Sequence, residues 1–350
     1  MKALTVRPPA PDSAELVEVE EPSVDEGSIL CQTVAVGVDG TDNEIVEGKY
    51  GEAPPGRDRL ILGHESLGQV LEVPTGSGFA PGDLVVGVVR RPDPVPCDNC
   101  AAGEWDMCRN GRYTERGIKA RDGFISERFR IEPEFAVKAD PALGRLAVLT
   151  EPSSVVAKAW EHVERIGSRA RFEPRTALVT GAGPLGLLGA LLGVQRGLDV
   201  HILDVVAEGP KPLLAKRLGA SYHAGSIDDT HAQFDVVIEC TGVGPLVLHA
   251  IEHLAPNGVM CLTGISGGGR SAGTLDVDAL NKQMVLNNAV VFGSVNAALR
   301  HYEQGAAALA KADRGLLEDI VTRWVPLERW PEALERRPED VKTVIDIAAV

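Results

Sequence analysis

Between residues 176 and 264 the apolar and polar positions fall into blocks that read strand, helix, strand. TALVTG, from Thr176 to Gly181, is a short apolar run rich in β-branched residues. PLGLLGALLGVQR begins at Pro184, is apolar nearly all round, and runs into Gly197, as expected of a buried helix and its stop. DVHILD follows as a strand, and Pro210 stands where it suits the first turn of a helix over KPLLAKRLGA. FDVVIEC and VMCLTG flank PLVLHAIEHL, which the turn Pro256-Asn257-Gly258 is expected to close. This rhythm predicts a doubly wound parallel sheet with helices on both faces, and AVVFGSV at 289–295 as its last strand.

Residues 1–150 have a different texture. Runs such as SILCQTVAVGV, LILGHESLGQVLEV and DLVVGVVR are separated by Pro and Gly clusters, which predicts a β-rich domain with many turns. The closing run KTVIDIAAV reads as a strand able to return to that first domain. The expectation is an α/β protein in two parts: a catalytic domain over 1–154 and 296–350, with a dinucleotide-binding domain over 155–295 inserted into it. No internal repeat or low-complexity tract interrupts this plan.

A length of 350 residues agrees with two domains, since it exceeds what one hydrophobic core usually organises. Apolar stretches are broken well before 18 residues, so no membrane span is expected. MKALTVRPP reads as a short strand ending in prolines rather than a secretory leader, which places the chain in the cytoplasm. The net charge of −15 argues against nucleic acid and anionic membrane as partners, because both reward a basic stripe. Cys97, Cys100 and Cys108 gather on one polar loop, while Cys31, Cys240 and Cys261 fall in apolar runs, a distribution that fits metal binding better than disulfides.

Gly181-Ala182-Gly183-Pro184-Leu185-Gly186 matches GxGxxG directly between a predicted strand and a predicted helix. The first glycine permits the tight turn, the second lets backbone approach a pyrophosphate, and the third allows close helix packing. Asp204 ends the next strand, 18 positions after Gly186, where a carboxylate can take both ribose hydroxyls of NAD and repel a 2′-phosphate. Val205 and Val206 follow it rather than arginines, which favours NAD, with NADP as the alternative. The competing reading of Asp204 is a turn cap before Pro210.

GVDGTD, LGHESLG, the Cys-x2-Cys-x7-Cys loop and the glycine fingerprint together resemble the zinc-dependent medium-chain dehydrogenases. ERGIKARDGFISERF, LTEPSSVVAKAW and FGSVNA resemble the glucose, or aldose, 1-dehydrogenase branch, and the similarity covers nearly the whole chain. The resemblance implies a GroES-like catalytic domain, a Rossmann domain, and Asp39, His64 and Glu151 as ligands to a catalytic zinc with Glu65 beside it. Asp39 stands where most relatives have cysteine; an all N/O donor set is harder and weaker in its selectivity for zinc. Cys97, Cys100 and Cys108 match three ligands of the structural-zinc lobe, where Asp93 is the nearest substitute for the missing fourth. The alternative there is three reduced thiols. His162, His201, His223, His231, His249, His253 and His301 are read as structural.

Thr41 matches the hydroxyl residue that bonds the substrate oxygen, and its other reading is a helix cap with Glu44 three residues on. Glu115 and Asn296 match residues on the sugar or nicotinamide side, and Glu65 and Glu151 are able to share sugar contacts. Val155 replaces an acidic sugar contact of some relatives. The implied activity is oxidation of an aldose such as D-glucose at C1 to the lactone with Zn2+ and NAD or NADP. The alternatives are a zinc-dependent polyol or secondary-alcohol dehydrogenase, a metal-free quinone or enone reductase, and a non-catalytic module on the same fold. A homo-oligomer, dimer or tetramer, is expected, with AVVFGSV as its interface.

Overall fold

A computed structural model of the chain describes residues 1–267 and 276–348. It divides into two compact units, Met1–Ser154 with Asn296–Val350, and Val155–Val295.

In the first unit the long strand β1 (Ile29–Val38) alternates buried and half-buried positions and then becomes buried throughout. β2 (Glu65–Glu72), β3 (Leu84–Gly87), β4 (Arg128–Ile131) and β5 (Ala136–Lys138) join it in antiparallel pairs. Helix α1 (Gly40–Val46) leaves the end of β1 directly. Asp39 is its N-cap and Asp42 its N3 partner in a reciprocal capping box. The expected cap of Thr41 with Glu44 is therefore shifted by two residues: the carboxylate of Asp39 takes the amides of Thr41 and Asp42, leaving Thr41 inside the first turn.

The second unit opens on α2 (Thr150–Gly167), whose first five residues belong to the first unit. Its sheet is parallel throughout, with β6 (Thr176–Thr180), β7 (Asp199–Asp204), β8 (Ser221–Ala224), β9 (Phe234–Glu239), β10 (Leu254–Leu262) and β11 (Val290–Gly293) in the order β8-β7-β6-β9-β10-β11. The strand order reverses between β6 and β9, the crevice where such sheets bind ligands. Helix α3 (Pro184–Gln195) buries Gly186 through Gly193, as its all-round apolar pattern requires. α4 (Pro210–Leu218) starts on Pro210, and α5 (Gly244–Glu252) packs Ala250 and Ile251 into a cluster with Leu178, Leu203, Phe234, Val237, Leu254 and Met260.

One expectation about this sheet is corrected. Pro256-Asn257-Gly258 does not close α5, which already ends at Glu252; it lies inside β10 as a bulge. Pairing with β9 jumps from Phe234↔Leu254 to Val236↔Val259, and Asn257 takes a φ of 65° in the extra loop of chain. AVVFGSV forms the outermost strand of the sheet over Val290–Gly293.

After the second unit the chain returns to the first as β12 (Arg323–Pro326) and β13 (Thr343–Asp346). β13 pairs antiparallel with β1, Thr343 opposite Val38, and gives the order β5-β3-β2-β1-β13-β12.

Candidate active site

Three local turns converge in the first unit. The β1 to α1 junction carries Asp39, the turn into β2 carries His64 with Glu65 opening the strand, and the residue just before β13 is Lys342. Gly63, just before His64, has a φ of 89°, and a side chain there would run into Ile125 and Val36, so only glycine lets the chain turn into β2 here.

His64 Nε2 lies 3.6 Å from Asp39 Oδ2, and His64 Nδ1 lies 3.7 Å from Asp42 Oδ1. Asp42 is fully buried, and neither its Oδ1 nor His64 Nδ1 has a hydrogen bond. Ligand atoms of Asp39, His64 and Glu65 lie within 4.8 Å of one another, close to the spread around one small cation with bonds of about 2 Å. Glu151, in the first turn of α2, stands outside this tight group but feels the charges of His64, Glu65 and Asp39. Glu65 is instead ion-paired with Lys342, which also donates to Val38 O at 3.0 Å.

The electrostatics reflect four carboxylates around two cations. Burial pushes the Glu151 carboxyl up to about 8, and the neighbouring Glu65 and Asp39 act in the same direction against His64. Burial also raises Glu65, against Lys342. Asp39 would be raised by burial, yet His64 beside it, with Lys342 and the amide of Asp42, holds it well below the carboxylate range. Burial would lower His64, but Asp39 and Asp42 raise it well above its usual value. A divalent cation bound by imidazole and carboxylates answers both the excess negative charge and the His64 orientation, so the donor set fits zinc.

Thr41 Oγ1 donates to Asp39 Oδ2 at 3.3 Å. Glu115 and Asn296 do come together, but on each other: Asn296 Nδ2 donates to Glu115 Oε1 at 2.9 Å, and Arg90 donates to the same oxygen through Nε and Nη2 at 3.0 and 2.9 Å. Glu115 is buried rather than exposed, and Tyr113 stacks on Arg90 with 3.8 Å between guanidinium and ring centre.

On the cysteine loop the thiols of Cys97, Cys100 and Cys108 form a second tight group. Asp93, the expected substitute for the fourth ligand, lies outside that group. Its carboxylate is taken by the amide of Val95 at 2.8 Å and by Arg112 Nε at 3.2 Å.

In the second unit Gly181 has a φ of 88°, and a Cβ on Gly186 would overlap Gly181 O, which explains the tight turn and the close helix start. A Cβ on Gly183 would meet nothing within 4 Å. That open side of the α3 N-terminus, with Pro184 at its first position and Leu185 next, suits a pyrophosphate, so the residues fit a dinucleotide. Asp204 accepts from Ala182 N at 2.7 Å, from Val206 N at 3.0 Å and from Lys211 Nζ at 3.0 Å. The histidines read as structural include His301, whose Nδ1 accepts from Ala298 N, and His201 and His223, stacked with ring nitrogens 2.8 Å apart.

Asp42, Lys342 and Arg90 contact the candidate site residues and are missed by sequence reasoning. Asp42 had a signal, the i, i+3 spacing from Asp39 that marks a capping box.

Two family models match the chain: the Alcohol dehydrogenase GroES-like domain over residues 25–141 and the Glucose dehydrogenase C-terminus over residues 144–347. The chain is 41% identical to Glucose 1-dehydrogenase of Thermoproteus tenax, covering 99% of both chains, and 38% identical to that of Methanocella arvoryzae, covering 100% of both. It is also similar to the solved structure of Haloferax mediterranei glucose dehydrogenase in complex with NADP, Zn and gluconolactone, with a TM-score of 0.92, 33% identity and 100% of both chains covered. Site geometry, glycine loop and full-length similarity agree, and the chain belongs to the glucose dehydrogenase family of zinc-dependent medium-chain dehydrogenases.

Proposed function

We propose that the chain oxidises an aldose such as D-glucose at C1 to its lactone, passing a hydride to NAD or NADP. The observation that carries this reading is the tight group of Asp39, His64 and Glu65, with Glu151 nearby, in a chain similar over its full length to an enzyme crystallised with NADP, Zn and gluconolactone.

Asp39, His64 and Glu151 would hold the zinc, with Glu65 as the near carboxylate that Lys342 restrains. When bound, zinc supplies Lewis acidity that lowers the pKa of the sugar's C1 hydroxyl, and the nicotinamide supplies a hydride acceptor. Thr41 Oγ1, donating to Asp39 Oδ2, keeps a lone pair that can accept a hydrogen bond from the sugar's C1 hydroxyl. Asp42, whose carboxylate lies 3.7 Å from His64 Nδ1, would orient the His64 ring through charge. Glu115 and Asn296, locked together with Arg90, form a preset polar pair for sugar hydroxyls or the nicotinamide amide. In the second unit Gly181, Gly183, Pro184, Leu185 and Gly186 cradle the pyrophosphate and Asp204 takes the ribose. Cys97, Cys100 and Cys108 would hold a structural zinc, with Asp93 the nearest substitute for its fourth ligand.

The same reading places the protein in the cytoplasm; among the described residues no helix is long and apolar enough to cross a membrane. It also expects a homo-oligomer pairing through the outer strand β11, which a solution mass measurement decides.

The test is initial-rate assay of glucose, galactose, xylose and arabinose, beside a panel of polyols, with NAD and NADP, before and after chelation. Lactone formation abolished by chelation and restored by zinc is expected. No turnover of any aldose with either cofactor would overturn the reading, and faster turnover of polyols would move it to the polyol branch.

A further inference from the structure

A cavity of about 720 Å³ lies in the first unit, lined by residues 18–23 on the chain's early turn and by residues 56–59 before His64. None of Asp39, His64, Glu65 and Glu151 lines it. Its wall carries six carboxylates and four guanidiniums. Three of those guanidiniums have a close carboxylate: Arg57 pairs with Asp122, Arg59 with Glu15 and Arg128 with Glu21.

The fourth is Arg116, and it is the buried one, with 1% of its side chain exposed. Nη1 donates to Asp122 O at 3.2 Å and Nη2 to Arg130 O at 2.7 Å, while Nε has no hydrogen-bond partner. Its counter-ion is Glu26, whose Oε2 stands 3.9 Å from Nη1, beyond hydrogen-bond distance. Burial works against the Arg116 charge, and Arg91 and Arg121 add to that, against the opposing pull of Glu132 and Glu26. A buried guanidinium in this setting is short of an anion. Glu26 closes the turn Val24–Glu26 and is partly exposed, so it can give way to a carboxylate from solution.

The rest of the wall restricts which anion fits. Its excess of carboxylates disfavours a dianion such as phosphate. It favours a single carboxylate on a molecule otherwise rich in hydroxyls, because each wall carboxylate accepts from an O–H donor. The volume suits a small organic molecule.

We propose that this cavity is a second binding site, for a polyhydroxy carboxylate of the aldonate class, with the carboxylate on Arg116 and the hydroxyls on rim acids such as Glu20 and Asp58. An aldonate is what an aldose lactone becomes in water: water adds across the ester C–O bond, leaving a carboxylate, a freed ring hydroxyl and one proton. That choice of ligand rests on the proposed oxidation; the geometry around Arg116 does not.

The test is calorimetric titration of the intact protein with gluconate, acetate and inorganic phosphate, in wild type, Arg116→Met, Glu26→Gln and Asp39→Asn. Gluconate should bind more tightly than the other two, since it alone joins one carboxylate to hydroxyls. Arg116→Met should weaken it by about 10- to 100-fold, the loss of a charge-assisted contact. Glu26→Gln removes a competing charge and should strengthen it at least about threefold. Asp39→Asn should leave it unchanged. A merely structural role does not move two variants in opposite directions, and Glu26→Gln decides the matter if Arg116→Met fails to fold. Gluconate binding that is absent, that phosphate exceeds, or that follows Asp39 rather than Glu26 overturns the site. Titration needs no turnover, so a chain that oxidises no aldose yet binds gluconate here keeps the site and loses only the link to its product.

Discussion

Lys342 and Glu65 form a buried ion pair beside the metal site, and Lys342 Nζ simultaneously caps the last carbonyl of β1 at Val38. Both side chains are almost wholly excluded from solvent, at 1% and 3% exposure. Removing one partner from such a pair leaves an uncompensated buried charge. Lys342→Met should therefore destabilise the protein by about 3–5 kcal/mol. The double variant with Glu65→Gln should recover most of that loss in urea denaturation; identical midpoints for single and double variants would deny the coupling.

Asp39 serves as helix cap and as candidate ligand, and the two roles separate by substitution. Asp39→Asn keeps an acceptor for the amides of Thr41 and Asp42, so stability should hold while zinc per chain falls after dialysis. Asp39→Ala should lose zinc and about 1 kcal/mol of stability as well. Full zinc retention in Asp39→Asn would remove this residue from the ligand set.

Asp42 touches no proposed substrate atom; one of its oxygens completes the α1 capping box and the other faces the His64 ring. Asp42→Ala should weaken zinc affinity by about 10- to 100-fold in competition with a chelator. Its kcat at saturating zinc should stay closer to wild type than its kcat at limiting zinc. A kcat equally depressed at all zinc concentrations would contradict a purely orienting role.

The glycines of the nucleotide loop should respond differently to the same added methyl group. Gly183 has open space, so Gly183→Ala should fold with an unchanged melting temperature but bind dinucleotide at least about tenfold more weakly, having blocked the approach of the pyrophosphate. Gly186→Ala would drive Cβ into Gly181 O and should lower the melting temperature itself. Titration calorimetry and thermal melts on both variants check the contrast.

The stacked pair of His201 and His223 gives the second unit an acid limit. Burial, then the neighbouring His201, lowers His223 from its usual 6.5, against a weaker opposing pull from Asp229. The folded unit thus binds fewer protons than the unfolded chain in this window. Stability should be complete above pH 6.5 and fall as pH drops through that value toward the lowered one. His223→Gln should flatten this part of the profile in urea denaturations at pH 5.5 and 7.5.

The nucleotide unit is legible in the sequence because its signals are local: strand and helix periodicities, a glycine loop at their junction, and Pro210 at a helix start. Where turn residues serve another purpose the reading fails, as at Pro256-Asn257-Gly258, whose chemistry marks a bulge within a strand. The metal site is legible as a set of residue types but not as a geometry. Nothing around Glu65 indicates that its partner is a lysine far along the chain, and nothing near Glu115 indicates that Arg90 already occupies one of its oxygens. Nor does the sequence near Asp93 indicate that Arg112 reaches its carboxylate through space.

The return of the chain through β13 sets the order in which the molecule can become competent. Val38 and Lys342 are 304 residues apart, and the whole nucleotide unit lies between them. That unit is one unbroken stretch of chain whose strand pairings all close within it, and it can form during synthesis. The candidate metal pocket forms only later, because its buried lysine lies beyond that whole unit in the chain. Zinc uptake by refolding protein should accordingly lag behind nucleotide binding, and the delay would time the closure of the long loop.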